Sequence, residues 1–434
     1  MMEIFSYPSD AAEAKVRSIT GRGLGYTADD EKGVIDILED VRKNGDEALV
    51  SYIRKFDAPK MTLSELVVTD EEMEEALDSV DPVFLDALDR SVSQVASFHE
   101  KQKENSWIDM PRKGVTLGQM VNPVDAAGVY VPGATGGMTP LVSSVVMGAV
   151  PAKIAGVKHI AMVTPPMADG KVNKHLLAAA KRTGVDVVYK AGSAWAVAAL
   201  AYGTETVGKV DVIVGPGNIY VTLAKKLVSG VVGIDMIAGP SEILVIADES
   251  ANPQWTAADL LSQAEHDPLA SSIFVTTSRG LAEKVQAEVE KQVKELPRRE
   301  IAEASIKAYG AIMVVDSIER ACELANRLAP EHLELLVPAP FEVVGMIRNA
   351  GAVFMGHFTP EPMGDYMAGP NHVLPTAGTA RFSSALSVEH FTKKSSLICY
   401  SEEAFMKEAD AVACLAETEG LAGHARSVTI RRKK

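Results

Sequence analysis

Cysteine is scarce. The chain has three, Cys322, Cys399 and Cys414, among 434 residues. None stands at C-x-x-C spacing and the number is odd, which excludes a disulfide framework and a four-thiolate zinc site and fits a reducing compartment. Positive charge is also short. Lys and Arg number 43 against 58 Asp and Glu, a formal net charge of −15. That balance argues against an extended nucleic-acid surface and against a polybasic membrane patch. The one basic cluster is the terminal "RRKK", read as a solvated tail. Long apolar runs are missing. The most apolar stretch, "LVSSVVMGAVPAKIAGV", is interrupted by Pro151 and Lys153 and reads as buried helix and strand rather than a membrane span. "MMEIFSYPSD" has neither a basic n-region nor an apolar h-region, so no signal peptide is expected. No G-x-G-x-x-G fingerprint and no internal sequence repeat occur. The expectation is a soluble cytoplasmic protein, long enough for two or three domains.

What is present falls into three zones. The first hundred or so residues read as charged amphipathic helices. "EKGVIDILEDVRKNGDEALVSYIRKFD" has apolar residues at helical spacing with a break at Gly45, and "DDEK" and "TDEE" supply N-cap signals. In the middle, short β-rich runs ending in Gly or Pro ("AAGVYV", "HIAMVT", "VDVVY", "VDVIVGPG") alternate with Ala-rich helical stretches. A second such set runs from "SEILVIAD" to "AGAVFMG", with a long charged helix expected from Gly280 to about Glu295. Strands alternating with helices imply parallel sheets joined by right-handed crossovers. The fold expected is α/β: two doubly wound Rossmann-like units with an incomplete nucleotide fingerprint, a helical N-terminal region and a C-terminal tail. The boundaries expected are an arm over 1–25, a discontinuous α/β domain over 26–129 and 242–386, a second α/β domain over 130–241, and a helical, polar tail over 387–434.

"VDVIVGPGNIYVTLAKKL" is a strand, a glycine-bearing turn and a helix. Backbone N–H groups at a helix start favour anions, and glycine lets a phosphate come close. A plain tight turn has the same pattern. "GVYVPGATGG" is a second loop of this kind, so one α/β unit offers two candidate phosphate loops.

"DLLSQAEHD" places Gln263 and His266 three residues apart on one side of an apolar helical run, and "PEHLELLV" places Glu331 beside His332 after the helix-stopping Pro330. "EPMGDYMAGPNH" sets Asp365 and His372 in a Gly/Pro-rich loop, and "AETEGLAGH" sets Glu419 near His424. A histidine on a helix is most often just packed or solvated. Here four of the nine histidines sit beside acids or in Gly/Pro loops, where α/β proteins build sites. Two histidines and a carboxylate are a common zinc set. Glu331 and His332 are a natural acid/base pair, provided that the segment after Pro330 is a turn or a strand start, since adjacent strand residues point apart.

With these motifs the sequence resembles the histidinol dehydrogenase family over nearly its whole length, least over the first hundred residues. "IDMIAGPSEILVIADESANPQWTAADLLSQAEHD" looks like that family's signature segment, and "VGPGNIYV", "LAPEHLEL", "GDYMAGPNHVLPT" and "EGLAGHARSV" follow in the family's order. The resemblance implies a zinc- and NAD-dependent, four-electron oxidation of L-histidinol through L-histidinal to L-histidine. It implies zinc ligands Gln263, His266, Asp365 and His424, and the acid/base pair Glu331 and His332. Substrate contacts would come from Ser241, His372 and Glu419 beside the ligands and His332, and NAD contacts from Tyr130 and Asn218. A homodimer is implied whose exchanged tails carry Glu419 and His424 to the partner's site. Three departures cluster around the cofactor. "GSAWA" puts Trp195 where the family has Gln, "PGATGGMTP" replaces a more regular loop, and an Arg usual before that loop is missing from "QMVNPVDAAG". An altered affinity for NAD is expected. A related dehydrogenase acting on another polar primary alcohol, such as a sulfonated diol, is the alternative; retained Ser241, His372 and Glu419 favour histidinol. From another class, a zinc hydrolase or an inactive binding protein would form no NADH with histidinol.

Overall fold

The structure, a computed structural model, describes residues 2–23, 25–133 and 139–432. Of the loop "PGATGGMTP", residues 134–138 lie outside the described residues. The chain divides into two compact units. One comprises Met1–Gln102 with Val124–Phe391, the other Lys103–Pro123 with Thr392–Lys434.

In chain order the elements begin with β1 (Ile4–Ser6), α1 (Asp10–Thr20), α2 (Ala28–Phe56), α3 (Asp70–Ser79) and α4 (Pro82–Glu100). Next come β2 (Trp107–Arg112), β3 (Val115–Pro123), β4 (Ala126–Tyr130), β5 (Thr139–Pro140), α5 (Val142–Ala155), β6 (His159–Thr164), α6 (Lys174–Thr183) and β7 (Val187–Lys190). They are followed by α7 (Ser193–Tyr202), β8 (Val212–Val214), α8 (Ile219–Val228), β9 (Gly233–Ile234), β10 (Glu242–Ala247), α9 (Pro253–Ala264) and β11 (Ser271–Thr276). The remainder is α10 (Arg279–Gln292), α11 (Arg299–Tyr309), β12 (Ala311–Val314), α12 (Ile318–Leu328), β13 (His332–Leu336), α13 (Pro340–Val343), β14 (Ala352–Met355), α14 (Glu361–Tyr366), β15 (Thr392–Tyr400), α15 (Glu402–Thr418) and α16 (Ala422–Thr429).

The helix starts follow their capping chemistry. Thr27 and Asp30 form a capping box on α2, Thr69 and Glu72 another on α3, each satisfying orphan N–H groups. Within α2, Gly45 adopts φ +53°, and a Cβ there would lie 2.3 Å from the Glu205 carboxylate. Only glycine fits this kink.

The first unit holds two parallel sheets. One is ordered β7-β6-β4-β8-β9, the other β1-β12-β11-β10-β13-β14. Leaving aside β1 at the edge, both follow the same 3-2-1-4-5 strand order, in which the chain reverses direction between two neighbouring strands. All six residues of β10 and all six of β11 are buried, as expected for a sheet covered on both faces. Ile243, Val245 and Ala247 pack to one side with α9; Leu244 and Ile246 pack to the other with α1 and α12. The N-terminal region is helical as expected, but β1 precedes it and pairs with β12.

The second unit is an antiparallel sheet, β15-β3-β2, with the helical pair α15 and α16. The tail therefore opens with a nine-residue strand, where helix alone was expected. All six residues of β2 and most of β15 are exposed, so neither strand carries the alternation that would mark it in sequence.

Candidate active site

In the five-stranded sheet the reversal falls between β4 and β8, the place where open α/β sheets bind ligands beyond the strand C-termini. Tyr130 ends β4, is buried, and accepts a hydrogen bond from the Ser193 N–H at 2.9 Å. Burial raises its phenol pKa above the ordinary value. Gly215 follows β8 with φ +115°, and a Cβ would lie 2.2 Å from the Tyr130 carbonyl oxygen, so the turn requires glycine. A buried ion pair, Lys225 with Asp235, holds this turn: Lys225 Nζ donates to the Gly215 carbonyl at 2.8 Å and the Gly215 N–H donates to Asp235 at 2.8 Å. Asn218 caps α8, its side-chain oxygen accepting from the N–H groups of Tyr220 and Val221. Trp195 stacks with both Tyr52 and Phe56 of α2, with ring centroids 5.6 and 5.3 Å away. Its indole N–H is buried without a partner.

The other sheet reverses between β10 and β13. Here the chemistry-bearing residues gather at the N-terminal edge of the strands. Ser241 and Glu242 stand at the start of β10, Glu331 and His332 at the start of β13. The condition on adjacent residues is met, because His332 is the first strand residue and Glu331 precedes the pleat. Glu331 Oε2 lies 3.6 Å from His332 Nδ1 and accepts the Glu242 N–H at 2.8 Å. His332 Nδ1 is 3.0 Å from the Glu242 carbonyl oxygen, an acceptor only, so Nδ1 carries the proton and Nε2 the lone pair. Burial lowers the His332 pKa to about 4, which keeps the ring neutral at pH 7. Burial also lowers His372 to about 4, and its Nε2 is buried without a partner.

Helix α9 ends at Ala264, so His266 lies two residues beyond the helix rather than inside it. The terminal turn, closed by His266 N–H to the Gln263 carbonyl at 3.1 Å, keeps the two residues together. His266 Nδ1 is 2.8 Å from the Ser262 carbonyl oxygen, leaving Nε2 as its free lone pair. Gln263 Nε2 lies 3.2 Å from His332 Nδ1, which with Nδ1 protonated is a contact of two donors and not a hydrogen bond, and Gln263 Oε1 is buried without a partner. Asp365 sits on α14 rather than in a loop, four residues after Glu361.

Glu361 is the residue that the sequence reading missed. It is buried, its Oε1 lies 3.9 Å from His332 Nε2, and its N–H donates to Glu334 at 3.0 Å. The available signal was an acid four residues before Asp365 in a proline-led helical turn. Burial and then the neighbouring Asp365 raise Glu361 to about 8, and burial raises Asp365 to about 6. Glu331 is raised well above the ordinary range by burial, and by Glu242, Asp365 and Glu361. Among the described residues, His332, Glu361 and Asp365 bring ligand atoms within 4.8 Å of one another. An orphaned amide oxygen beside crowded carboxylates and imidazoles is a donor set that a divalent cation satisfies, and the oxygen and nitrogen donors suit zinc. Gln263, His332 and Asp365 belong to the expected site; Glu361 joins them. Glu419 and His424 are exposed residues of the second unit, Glu419 at the C-cap of α15 and His424 in α16.

A glycine turn at one dinucleotide-type reversal, and a buried acid/base pair among metal donors at the other, define a metal-dependent α/β oxidoreductase. Comparison with known proteins specifies which. The sequence profile of histidinol dehydrogenase matches residues 25–432. A histidinol dehydrogenase of Desulfotalea psychrophila is 55% identical over 98% of each chain, and one of Bacillus subtilis is 52% identical over 94% of each. The crystal structure of histidinol dehydrogenase from Elizabethkingia anophelis superposes with a TM-score of 0.92 at 37% identity, covering 100% of this chain and 98% of that one. The chain belongs to the histidinol dehydrogenase family.

Proposed function

We infer that this chain oxidises L-histidinol through L-histidinal to L-histidine, the last step of histidine biosynthesis, with NAD and zinc as cofactors. The observation that carries the mechanism is the state of His332: a buried, neutral imidazole whose Nδ1 is tied to the Glu242 carbonyl and whose Nε2 faces the carboxylates of α14. The named relatives do not favour the other polar alcohol.

Gln263, His266 and Asp365 would hold the zinc, with His424 completing the set. When bound, zinc supplies positive charge that fixes substrate nitrogens and favours loss of a hydroxyl proton, and NAD supplies the hydride acceptor. An alcohol gives up hydride only as its O–H proton leaves. His332 Nε2 takes that proton, and its low basicity in this buried setting lets it release the proton again. The aldehyde must take up water before a second hydride can leave. Glu331, held by the Glu242 N–H, accepts the proton from that water in its ionised form, its raised pKa making the carboxylate a stronger base. Ser241 and His372 orient the substrate, and Glu419 pairs with its cationic amine. Tyr130 and Asn218 contact NAD beside the Gly215 turn. Glu419 and His424 act in the site of a second copy, in a homodimer with exchanged tails. No helix among the described residues is long and apolar enough to cross a membrane, and a cytoplasmic location fits the pathway.

The test is His332→Ala and Glu331→Ala, assayed with zinc content measured on the same samples. Turnover should fall by roughly 10²–10⁴-fold with zinc unchanged. Loss of zinc would make these residues ligands and remove the proton-transfer assignment.

A further inference from the structure

Strand β13 reads "HLELL", and all five of its residues are buried. Glu334 stands in the middle of it with no exposure at all. A carboxyl in such a place is costly unless it is hydrogen-bonded, and the proton transfers assigned above do not use it. His332 and Glu334 are alternate residues, so they share a face of the sheet. They pair in register with Ile243 and Val245 of β10, whose side chains pack on α9. Glu334 therefore points to the α9 side, as His332 does.

Two other elements meet it there. Glu334 Oε1 accepts the Glu361 N–H at 3.0 Å. Glu361 is the first residue of α14, and Pro360 at the N-cap gives that helix no side-chain cap, so a residue of the neighbouring strand satisfies the free N–H instead. The Glu334 carboxyl is also hydrogen-bonded to the carboxyl of Asp259 on α9. Two carboxyls bond to each other only while one of them carries a proton. Each arm of this bridge ends one turn from an expected metal ligand. Asp259 is four residues before Gln263 on α9, and Glu361 is four before Asp365 on α14, a spacing that keeps both members of a pair on one helix face.

We propose that Asp259 and Glu334 are positioning residues for the metal: their carboxyl bridge ties α9 and α14 to β13 and so sets the spacing of Gln263, His266 and Asp365. The inference rests on the reading of those three residues as zinc ligands. Neither member of the bridge touches the ion. Both act on it by holding the elements that carry its ligands, and removal of such supports typically weakens metal binding by about 10–100-fold.

The experiment is a zinc titration of the full-length protein, stripped with a chelator and reloaded in competition with a chromophoric one. Glu334→Leu keeps the buried volume but removes both arms, and should weaken zinc binding by about 10–100-fold. Glu334→Gln should stay within about threefold of the parent, because its amide oxygen accepts the Glu361 N–H and its NH2 group donates to Asp259. Asp259→Ala cuts the α9 arm alone, at a half-buried position, and should weaken zinc about tenfold; it decides the matter if thermal denaturation shows that Glu334→Leu does not fold. The proposal is overturned if the folded Leu variant or the Ala variant binds zinc as tightly as the parent, or if Glu334→Gln loses as much affinity as Glu334→Leu. A variant with both Gln263→Ala and His266→Ala reports separately on the ligands: undiminished zinc binding there would remove the ligand reading, whatever the bridge variants do.

Discussion

His332 shows how one side chain is tuned by its backbone neighbour. The Glu242 peptide fixes the imidazole tautomer through its carbonyl and the Glu331 carboxylate through its N–H, so the acid/base pair is oriented without a further side chain. A quieter residue gives a sharp test of burial. Asp57 caps α2, its Oδ2 is buried without a partner, and burial pushes its pKa from 3.8 to about 6. A carboxyl harder to ionise when folded weakens the fold as it ionises. Its destabilisation therefore develops as pH rises from the unfolded value near 4 through about 6, and is complete above that. Asp57→Asn should raise stability at pH 7.5 by about 1 kcal/mol once screening of this partly exposed group is allowed for. At pH 4 the gain should vanish. Equal gains at both pH values, read by denaturant titration, would show that ionisation is not the cause. At this scale the sequence was largely readable. Glu331–His332 and Gln263–His266 are local pairs whose spacing survives folding. Glu361 was not readable, because its role depends on α14 carrying it against β13, a contact between residues nearly 30 positions apart.

At the scale of elements, the turn after β8 illustrates support that no local motif announces. Gly215 is clamped on both its N–H and its carbonyl by the buried Asp235 and Lys225, twenty and ten residues further on. Removing one partner leaves the other charge buried alone, at a cost of about 3–5 kcal/mol. Lys225→Met and Asp235→Leu should each be destabilising on that scale and weaken NAD binding, whereas the double variant should recover much of the stability. Additive losses in thermal denaturation would mean that the two charges act independently. The helix starts and most strands of both parallel sheets were legible, since caps and continuous apolar runs are local; the short edge strands β1 and β9 were not. The strands β2 and β15 were not, because they bury no face. The end of α9 was misplaced by two residues, since the turn carrying His266 extends the helical spacing without helical hydrogen bonds beyond Glu265.

At the scale of the molecule, one strand order is used twice. At its first reversal the strand C-termini present the glycine turn and Tyr130; at its second the N-terminal edges present Ser241, Glu331 and His332. Sequence reasoning places ligands at strand C-termini, which suits the first sheet, and has no rule for the second. The tail adds a question of assembly. If Glu419 and His424 serve a second copy, chains carrying His424→Ala mixed with chains carrying Gln263→Ala and His266→Ala should regain part of the lost activity, because one site in the mixed dimer is then complete. Activity no higher than that of either variant alone would mean that the tail serves its own chain.

The account stands or falls on one scaffold removing two hydrides in turn from one substrate. The direct measurement is the yield of NADH per L-histidinol consumed, in a reaction run to completion with limiting substrate. Two equivalents, with L-histidine as the product, are predicted. One equivalent with the aldehyde accumulating, or none, would contradict it.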